Sequence, residues 1–249
     1  MAPTPIHPLA LAATLFSAAA FSQPIEAKLD HVVIAVHDLK AAQRTYAALG
    51  FAITPGARHP NGTQNSMVRF SDGGYLELIT PYDVSLPEGR RYAEYLEQNE
   101  GATAAALEVK GQPPAEPHLV FFIHDVPDPP NIPPHPNSAS SLKALLIAVN
   151  DNAAYANLGK ASAAEIPLPE LGAIAKQIVL ERGSILLLRA TDPSGPHSEG
   201  ILGVQLTVSD LDETRRSIGR KNISKDDRSV IVSPENAAGI WLQFQPERP

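Results

Sequence analysis

The alternation of apolar and polar residues predicts a strand, a helix and three further strands between Leu29 and Thr80. Residues 29–36 are rich in β-branched side chains, which favours a strand. Asp38 is a candidate N-cap, the apolar residues after it follow helical spacing, and Gly50 ends the helix. The further strands are expected at 51–54, 65–70 and 75–80, the last two joined by a turn at 72–74.

The same order recurs more weakly later in the chain. The echoes of the first strand are 141–152 and 200–211, those of the fourth strand are 185–190 and 241–245, and a degenerate pair lies at 101–109 and 118–125. Because one βαβββ unit leaves a sheet face open, we expect the copies to pack together. This predicts an α+β fold of tandem βαβββ modules whose curved mixed sheets surround a concave pocket.

The repeats also predict how the chain is organised. The expected parts are a leader at 1–26, a domain at 27–190 and a C-terminal degenerate βαβββ-like module at 200–249. The domain is expected to contain a first module at 28–80, a degenerate middle at 101–135 and a further module at 141–190.

The leader has the pattern of a signal peptide. Leu9 to Phe21 is almost entirely apolar, is too short to cross a bilayer, and precedes a small-residue cleavage site after Ser22. No Lys or Arg precedes Leu9, so a disordered leader remains the alternative. A cleaved signal would make the protein secreted or periplasmic, with no membrane insertion afterwards; otherwise it is cytoplasmic.

Composition excludes several classes of function. The 249 residues carry a net charge of −7 without a long basic run, which argues against nucleic acid and favours a small neutral or cationic ligand. Cysteine is absent, so there is no disulfide framework or thiol nucleophile. Neither a phosphate-binding glycine loop nor a dinucleotide motif is present.

Two polar residues stand within the apolar strands of the first module, His31 and Glu77. An unpaired carboxylate in an apolar core costs several kcal/mol, so Glu77 requires a partner. In the repeats His31 aligns with Ala144 and Gly203, and Glu77 aligns with Leu187 and Gln243. The chemistry is therefore expected in the first module.

The pair permits two interpretations. One imidazole and one carboxylate can help to bind Fe(II), Mn(II), Ni(II) or Zn(II), although a third protein ligand is normally needed. Alternatively, His31 and Glu77 form a buried hydrogen-bonded pair that orients a pocket.

The segment 56–65 leads directly into the third strand and is rich in polar residues. We expect it to form a loop at the rim of the pocket, with His59 as an acid or base and with Thr63 and Asn65 as hydrogen-bond donors to substrate. The alternative is an ordinary polar turn.

Three segments, LDHVVIAVHDL, GFAITPGARHPNGTQNSMVRF and GGYLELI, resemble the glyoxalase-like domain of the vicinal oxygen chelate superfamily. The resemblance implies a divalent metal held by His31 and Glu77, with Glu77 and His59 as catalytic candidates. The remaining ligands usually come from the partner module, where the equivalent positions here are apolar.

A third ligand must therefore come from elsewhere in the chain. The nearby substitutes are His118, His124 and His135. We favour His124 because it directly follows three apolar residues and, by the alternation of a strand, lies on the same face as Phe122. The implied function is metal-assisted lyase, isomerase or hydrolase chemistry on an oxygenated small molecule. The alternative is a metal-free protein that binds or sequesters a small molecule, and a homodimer is possible.

Overall fold

The computed structural model describes residues 25–111, 115–124, 132–190, 199–224 and 227–247. The predicted signal sequence lies outside the described residues. None of the helices in these ranges is long and apolar enough to cross a membrane.

The first half of the chain forms a six-stranded mixed sheet with the order β2-β3-β4-β1-β5-β6. Its elements are β1 (Ala27–Ala35), α1 (Leu39–Ala48), β2 (Thr54–Arg58), β3 (Thr63–Arg69), β4 (Tyr75–Pro81), α2 (Pro87–Leu96), β5 (Gly101–Val109) and β6 (Val120–Ile123). Asp38 caps α1 as expected, because its side chain accepts hydrogen bonds from the backbone N–H groups of Lys40 and Ala41.

The second half forms a seven-stranded mixed sheet with the order β12-β13-β11-β7-β10-β9-β8. Its elements are β7 (Ala139–Val149), β8 (Lys160–Leu168), β9 (Ala173–Val179), β10 (Ser184–Arg189), β11 (Gly200–Val208), α3 (Leu211–Ile218), β12 (Val230–Val232) and β13 (Trp241–Pro246). The expected division near residue 190 falls within this sheet, which joins the third and fourth repeats.

Strand pairing follows the repeats detected in the sequence. β1 pairs in parallel with β4, β5 with β6, β7 with β10, and β11 with β13. The first strands of neighbouring modules pair antiparallel, β1 with β5 and β7 with β11. The prediction of an α+β fold with curved mixed sheets is confirmed.

The main hydrophobic core lies between the two sheets and includes α1. Tyr46 of α1 is fully buried and donates a hydrogen bond to the carbonyl of Ala237, 3.2 Å away. The ring of Phe51 stacks on Phe244 with a centroid distance of 5.8 Å. The two halves of the chain therefore share one core rather than having separate cores.

Each sheet also has an outer face, turned away from this core. On the first sheet, Tyr92 and Leu96 of α2 pack over Val33, Ala35 and Ile79. Helix α2 therefore covers this part of the outer face, and His31 lies on the neighbouring part of the same face. The outer face of the second sheet contains an apolar cluster around Leu146, Leu186 and Leu188.

The boundaries of β2 and β3 differ from the sequence predictions. β2 begins at Thr54 and runs to Arg58, so the expected loop at 56–65 is a strand end, a turn and the start of β3. Pro55 and Gly56 weakened the strand signal, but β2 lies at the edge of the sheet, where both residues are tolerated.

Candidate functional site

His31 lies in a row of side chains that crosses the outer face of the first sheet. The register pairs His31 with Tyr75 on β4 and Ala106 on β5, and Ala106 pairs with Phe121 on β6. The His31 ring stacks on Tyr75 at a centroid distance of 4.4 Å and meets Phe121 edge-on at 5.6 Å. Because Ala106 is small, the ring of Phe121 can reach across it to the imidazole.

Asp30 orients the imidazole of His31. Its Oδ1 lies 2.7 Å from His31 Nδ1, and the Asp30 side chain is only 2% exposed. Neighbouring strand residues normally point to opposite faces. Here β1 has a bulge, because Leu29 pairs with Leu107 while His31 pairs with Ala106, so Asp30 is the inserted residue.

Glu77 occupies the next position on the same outer face. It pairs in register with Val33 on β1 and Met67 on β3. Its Oε1 accepts a 2.5 Å hydrogen bond from Asn65 Nδ2, and Asn65 Oδ1 accepts one from the backbone N–H of Ala57 at 2.9 Å. Asn65 is therefore held in the orientation that presents its amide N–H to Glu77.

His31 and Glu77 approach each other without forming a hydrogen bond. His31 Nε2 and Glu77 Oε2 are 3.8 Å apart, which is beyond hydrogen-bonding distance. A carboxylate accepts hydrogen bonds, so the 2.7 Å contact with Asp30 favours the His31 tautomer with a proton on Nδ1, in which Nε2 presents a lone pair. Two acceptors then point towards one location, where a proton, a cation or a donor group of a ligand would satisfy both.

The alignment of the repeats needs one adjustment. Gln243, paired with Gln205, occupies the position equivalent to Glu77 in the last module, as expected. In the third module the register assigns Leu186, not Leu187, to this position. Both residues are leucines, so the second sheet still carries no acid there.

Tyr75 and Arg69 extend the row beyond His31. Arg69 pairs with Tyr75, and its guanidinium lies 4.8 Å from the centre of the Tyr75 ring. Burial, together with the negative charges of Asp30 and Glu77, raises the pKa of the Tyr75 hydroxyl, so it stays protonated. In the part of the chain that the structure describes, Arg69 forms no salt bridge, and its guanidinium contacts the sulfur of Met67.

Tyr92 brings helix α2 to the same face. Burial raises the pKa of the Tyr92 hydroxyl, with a further increase from the charge of Glu77. Helix α2 thus supplies an aromatic side chain near the candidate carboxylate.

His124 does not join His31 and Glu77. It is exposed at the end of β6, with Nδ1 at 3.0 Å from the carbonyl of Val109. Phe121, which contacts His31, lies three residues earlier, a separation of about 10 Å along a strand. Phe122, whose side of the strand His124 was expected to share, packs against the core between the sheets, so that alternation directs His124 away from His31.

His59 and Thr63 lie at the far end of β3. Thr63 is six positions before Arg69, about 20 Å along a strand. Its hydroxyl donates to Asn61 within the turn, and the backbone N–H of His59 donates to its carbonyl. Of the three residues expected to bind substrate, only Asn65 is brought to Glu77.

His135 and His118 also lie outside the site. His135 is buried, with Nδ1 accepting from the backbone N–H of Ala52 and Nε2 donating to the carbonyl of Arg69, each at 2.9 Å. Burial lowers its pKa. His118 is exposed, and its carbonyl accepts from the hydroxyl of Tyr155.

The donor set tests the expected metal. His31 and Glu77 supply two donors, each oriented by a second hydrogen bond, as metal ligands commonly are. Within the described ranges, no group of three or more His, Cys, Asp or Glu side chains could hold an ion. The described chain therefore offers two protein ligands rather than the three expected.

Sequence analysis did not select Asp30, Tyr75, Arg69 or Phe121. Asp30 was the easiest of these to predict from the sequence, because it directly precedes His31. A bulge leaves no periodic signal, however, and ordinary alternation would have placed Asp30 on the opposite face.

The two curved mixed sheets, with a complete βαβββ unit in the first one, are consistent with a glyoxalase-like fold. Residues 29–111 match the family model described as "Glyoxalase-like domain". The match covers about a third of the chain and supports a glyoxalase-like domain in that part. No curated protein sequence matches the chain.

Solved structures resemble the whole chain at low identity. A xylose isomerase-like TIM barrel/4-hydroxyphenylpyruvate dioxygenase fusion protein aligns with a TM-score of 0.60 and 12% identity, over 92% of this chain and 50% of that one. A hypothetical protein from Staphylococcus aureus aligns with a TM-score of 0.55 and 10% identity, over 89% of this chain and 100% of that one. At such identities these similarities establish the fold alone.

Proposed function

We propose that this protein is an enzyme that acts on an oxygenated small molecule at the outer face of the first sheet. The observation that supports it is the approach of His31 Nε2 and Glu77 Oε2 to 3.8 Å without a hydrogen bond between them. A substrate hydroxyl or enol bound between them would place its proton within reach of both.

Each neighbouring residue has a role in this proposal. Asp30 keeps the proton of the neutral imidazole on Nδ1, so Nε2 is the atom that accepts a substrate proton. Asn65 holds one oxygen of Glu77 and leaves the other for the ligand. The protonated Tyr75 hydroxyl and the Arg69 guanidinium provide hydrogen-bond donors for substrate oxygens on the same face.

The proposal includes a divalent metal, such as Zn, Ni, Mn or Fe. With the ion bound, His31 Nε2 and Glu77 would hold it instead of accepting the substrate proton, and oxygen atoms of the substrate would complete its coordination. When bound, the ion would supply polarisation of a substrate oxygen and thereby favour lyase, isomerase or hydrolase chemistry.

A metal-free binding protein is the second candidate. Its support is the aromatic wall formed by Tyr75, Phe121 and Tyr92, which suits the apolar part of a small ligand. A ligand hydroxyl would then donate to His31 or Glu77 without further reaction.

Elemental analysis after reconstitution with Fe(II), Mn(II), Ni(II) or Zn(II) separates these candidates. The metalloenzyme predicts about one metal ion per chain, lost in folded His31→Gln and Glu77→Gln variants. His124→Gln is the matched control, since His124 is exposed outside the site, and it should retain the metal. Screening of vicinal oxygenated compounds for turnover should then find activity that depends on both residues.

Two results would contradict the proposal. Metal binding that survives in both site variants but is lost in His124→Gln would place the centre elsewhere. Absence of metal in every reconstitution, combined with saturable ligand binding and no turnover, would favour the binding protein.

A further inference from the structure

The environment of Asp30 connects the candidate site to the second sheet. Asp30 is buried, and its two carboxylate oxygens face different partners. Oδ1 contacts His31 Nδ1 at 2.7 Å, and Oδ2 lies 3.7 Å from Arg182 Nη2. Among the residues that the structure describes, Arg182 is the only Lys or Arg within salt-bridge distance of Asp30.

Arg182 belongs to the turn between β9 and β10, in the second sheet. Its backbone carbonyl accepts a 2.8 Å hydrogen bond from Leu29, directly before Asp30. Its guanidinium donates to the carbonyl of Leu29 at 3.2 and 3.3 Å, and to that of Asp72 at 2.8 Å. The guanidinium is thus fixed by the backbone carbonyls of Leu29, next to Asp30, and of Asp72.

We propose that Arg182 is a positioning residue for the candidate site. Its hydrogen bonds to backbone carbonyls fix the guanidinium, and its charge holds the Asp30 carboxylate against His31 Nδ1. This keeps His31 Nε2 directed towards Glu77. The inference rests on the proposed function for its biological meaning, but the orientation of the His31 ring can be measured without any substrate or metal.

The physical reason is the burial of the Asp30 carboxylate. A charge of this kind needs a countercharge or several hydrogen bonds, and His31 supplies only one contact. Without Arg182, Oδ2 loses its cationic partner and the carboxylate can rotate away from the imidazole. Nothing else in the described chain would then favour a proton on Nδ1 over one on Nε2.

The test is nitrogen NMR of histidine ring signals in full-length, chelator-treated protein at one neutral pH. Selective ¹⁵N-histidine labelling gives eight residues to resolve, and the His31→Gln variant identifies the signals of His31. In the wild type we expect the Nδ1–H tautomer. Arg182→Gln should convert a large fraction of His31 to the Nε2–H tautomer, and Arg182→Lys, which keeps a cation, should restore most of the wild-type signal.

Arg189→Gln is the matched control, because Arg189 is an exposed arginine of the same sheet. It should leave the His31 signals unchanged. Wild-type protein with His31 in the Nε2–H form would overturn the proposal even if Arg182→Gln fails to fold. So would a folded Arg182→Gln variant with unchanged His31 signals, or an Arg182→Lys variant that folds but loses the Nδ1–H form.

The result of the tautomer test does not depend on the result of the metal-binding and turnover tests. If the tautomer changes as expected but the wild type neither binds metal nor turns over substrate, Arg182 still positions His31 and only the assigned chemistry fails. If metal binding and turnover are found but the His31 tautomer is the same in the wild type and in Arg182→Gln, the assigned chemistry stands and the positioning role is wrong.

Discussion

His31 and His135 are both buried, yet their surroundings make them chemically different. Both ring nitrogens of His135 are occupied by backbone groups, which fixes the ring as a neutral structural element. In His31 only Nδ1 is occupied by a hydrogen bond, and Nε2 faces a carboxylate at 3.8 Å. The satisfaction of the second nitrogen, rather than burial, distinguishes a candidate reactive histidine from a structural one.

The lowered pKa of His135 predicts acid sensitivity of the fold. Because burial disfavours the protonated ring, the unfolded chain binds this proton more readily than the folded protein. The contribution of His135 to stability is therefore complete above its ordinary pKa of 6.5 and decreases as the pH falls below that value. Urea unfolding at pH 7.5, 6.5 and 5.5 should show the decrease.

The variant His135→Phe removes this titrating group. It should flatten that pH dependence and also lower the free energy of unfolding by about 1–3 kcal/mol, because two backbone groups lose their partners. The exposed His37 provides a control, and His37→Gln should reproduce the wild-type pH dependence. Equal pH dependence in His135→Phe and the wild type would contradict the assignment.

Asn65 supports Glu77 through an amide hydrogen bond. Asn65→Asp replaces the donor with a second carboxylate 2.5 Å from Glu77 Oε1, so the free energy of unfolding should decrease by roughly 1–3 kcal/mol at neutral pH. The neighbouring Gln64→Glu adds the same charge on the opposite face of β3 and should change stability by less than about 0.5 kcal/mol. Chemical denaturation of both variants measures the difference, and similar losses would show that net charge alone is responsible.

At the scale of elements, helix α2 covers one end of the outer face and the β1 bulge shapes the other. The bulge turns Asp30 to the same side as His31. Tyr92 and Leu96 of α2 close the apolar end over Val33 and Ile79. The candidate site lies between these features, because the apolar end is already filled by side chains.

Leu96→Ala tests the covering role of α2. Leu96 is 5% exposed and packs on the outer face, so its truncation should lower the free energy of unfolding by about 2–4 kcal/mol. Glu94→Ala, at an exposed position of the same helix, should have an effect within about 0.5 kcal/mol. Thermal and urea unfolding measure both changes. A negligible loss in Leu96→Ala would mean that α2 is not held on the sheet in solution.

At the scale of the whole molecule, the glyoxalase-like segment is not independent of the rest of the chain. Its matched residues end at 111, yet Phe51 and Tyr46 pack against residues beyond position 230. Asn137 also donates a hydrogen bond to the carbonyl of Leu49 at 2.9 Å. The inner face of the first sheet is therefore shielded from water only when the second sheet packs against it.

A fragment of residues 25–124 should consequently fail to fold cooperatively. It would expose the apolar inner face of its sheet, and we expect poor dispersion in its NMR spectrum and binding of a hydrophobic dye. Mixing with a fragment of residues 132–249 should restore a dispersed spectrum, since the shared core can then form. A separate 25–124 fragment with a sharp unfolding transition would contradict this view of the core.

The net charge of the chain does not describe the charges at the candidate site. A charge of −7 favoured a neutral or cationic ligand, but the outer face carries Arg69 beside Tyr75 and His31. Local guanidinium donors act over a few ångströms, whereas net charge describes a screened, distant field. The ligand class at this face is therefore governed by neighbouring side chains more than by composition.

The sequence by itself determined the order of elements in the first module, the capped helix after Asp38, the repeats, and the choice of His31 and Glu77 as candidate site residues. These features depend on local signals, namely periodicity, capping residues and a polar side chain in an apolar strand. Tertiary structure alone decided that Asp30 turns towards His31, that Arg182 arrives from the second sheet, and that His124 and His59 remain outside. Those outcomes depend on strand register and on a bulge, which packing between distant segments sets and which a one-residue shift would reverse.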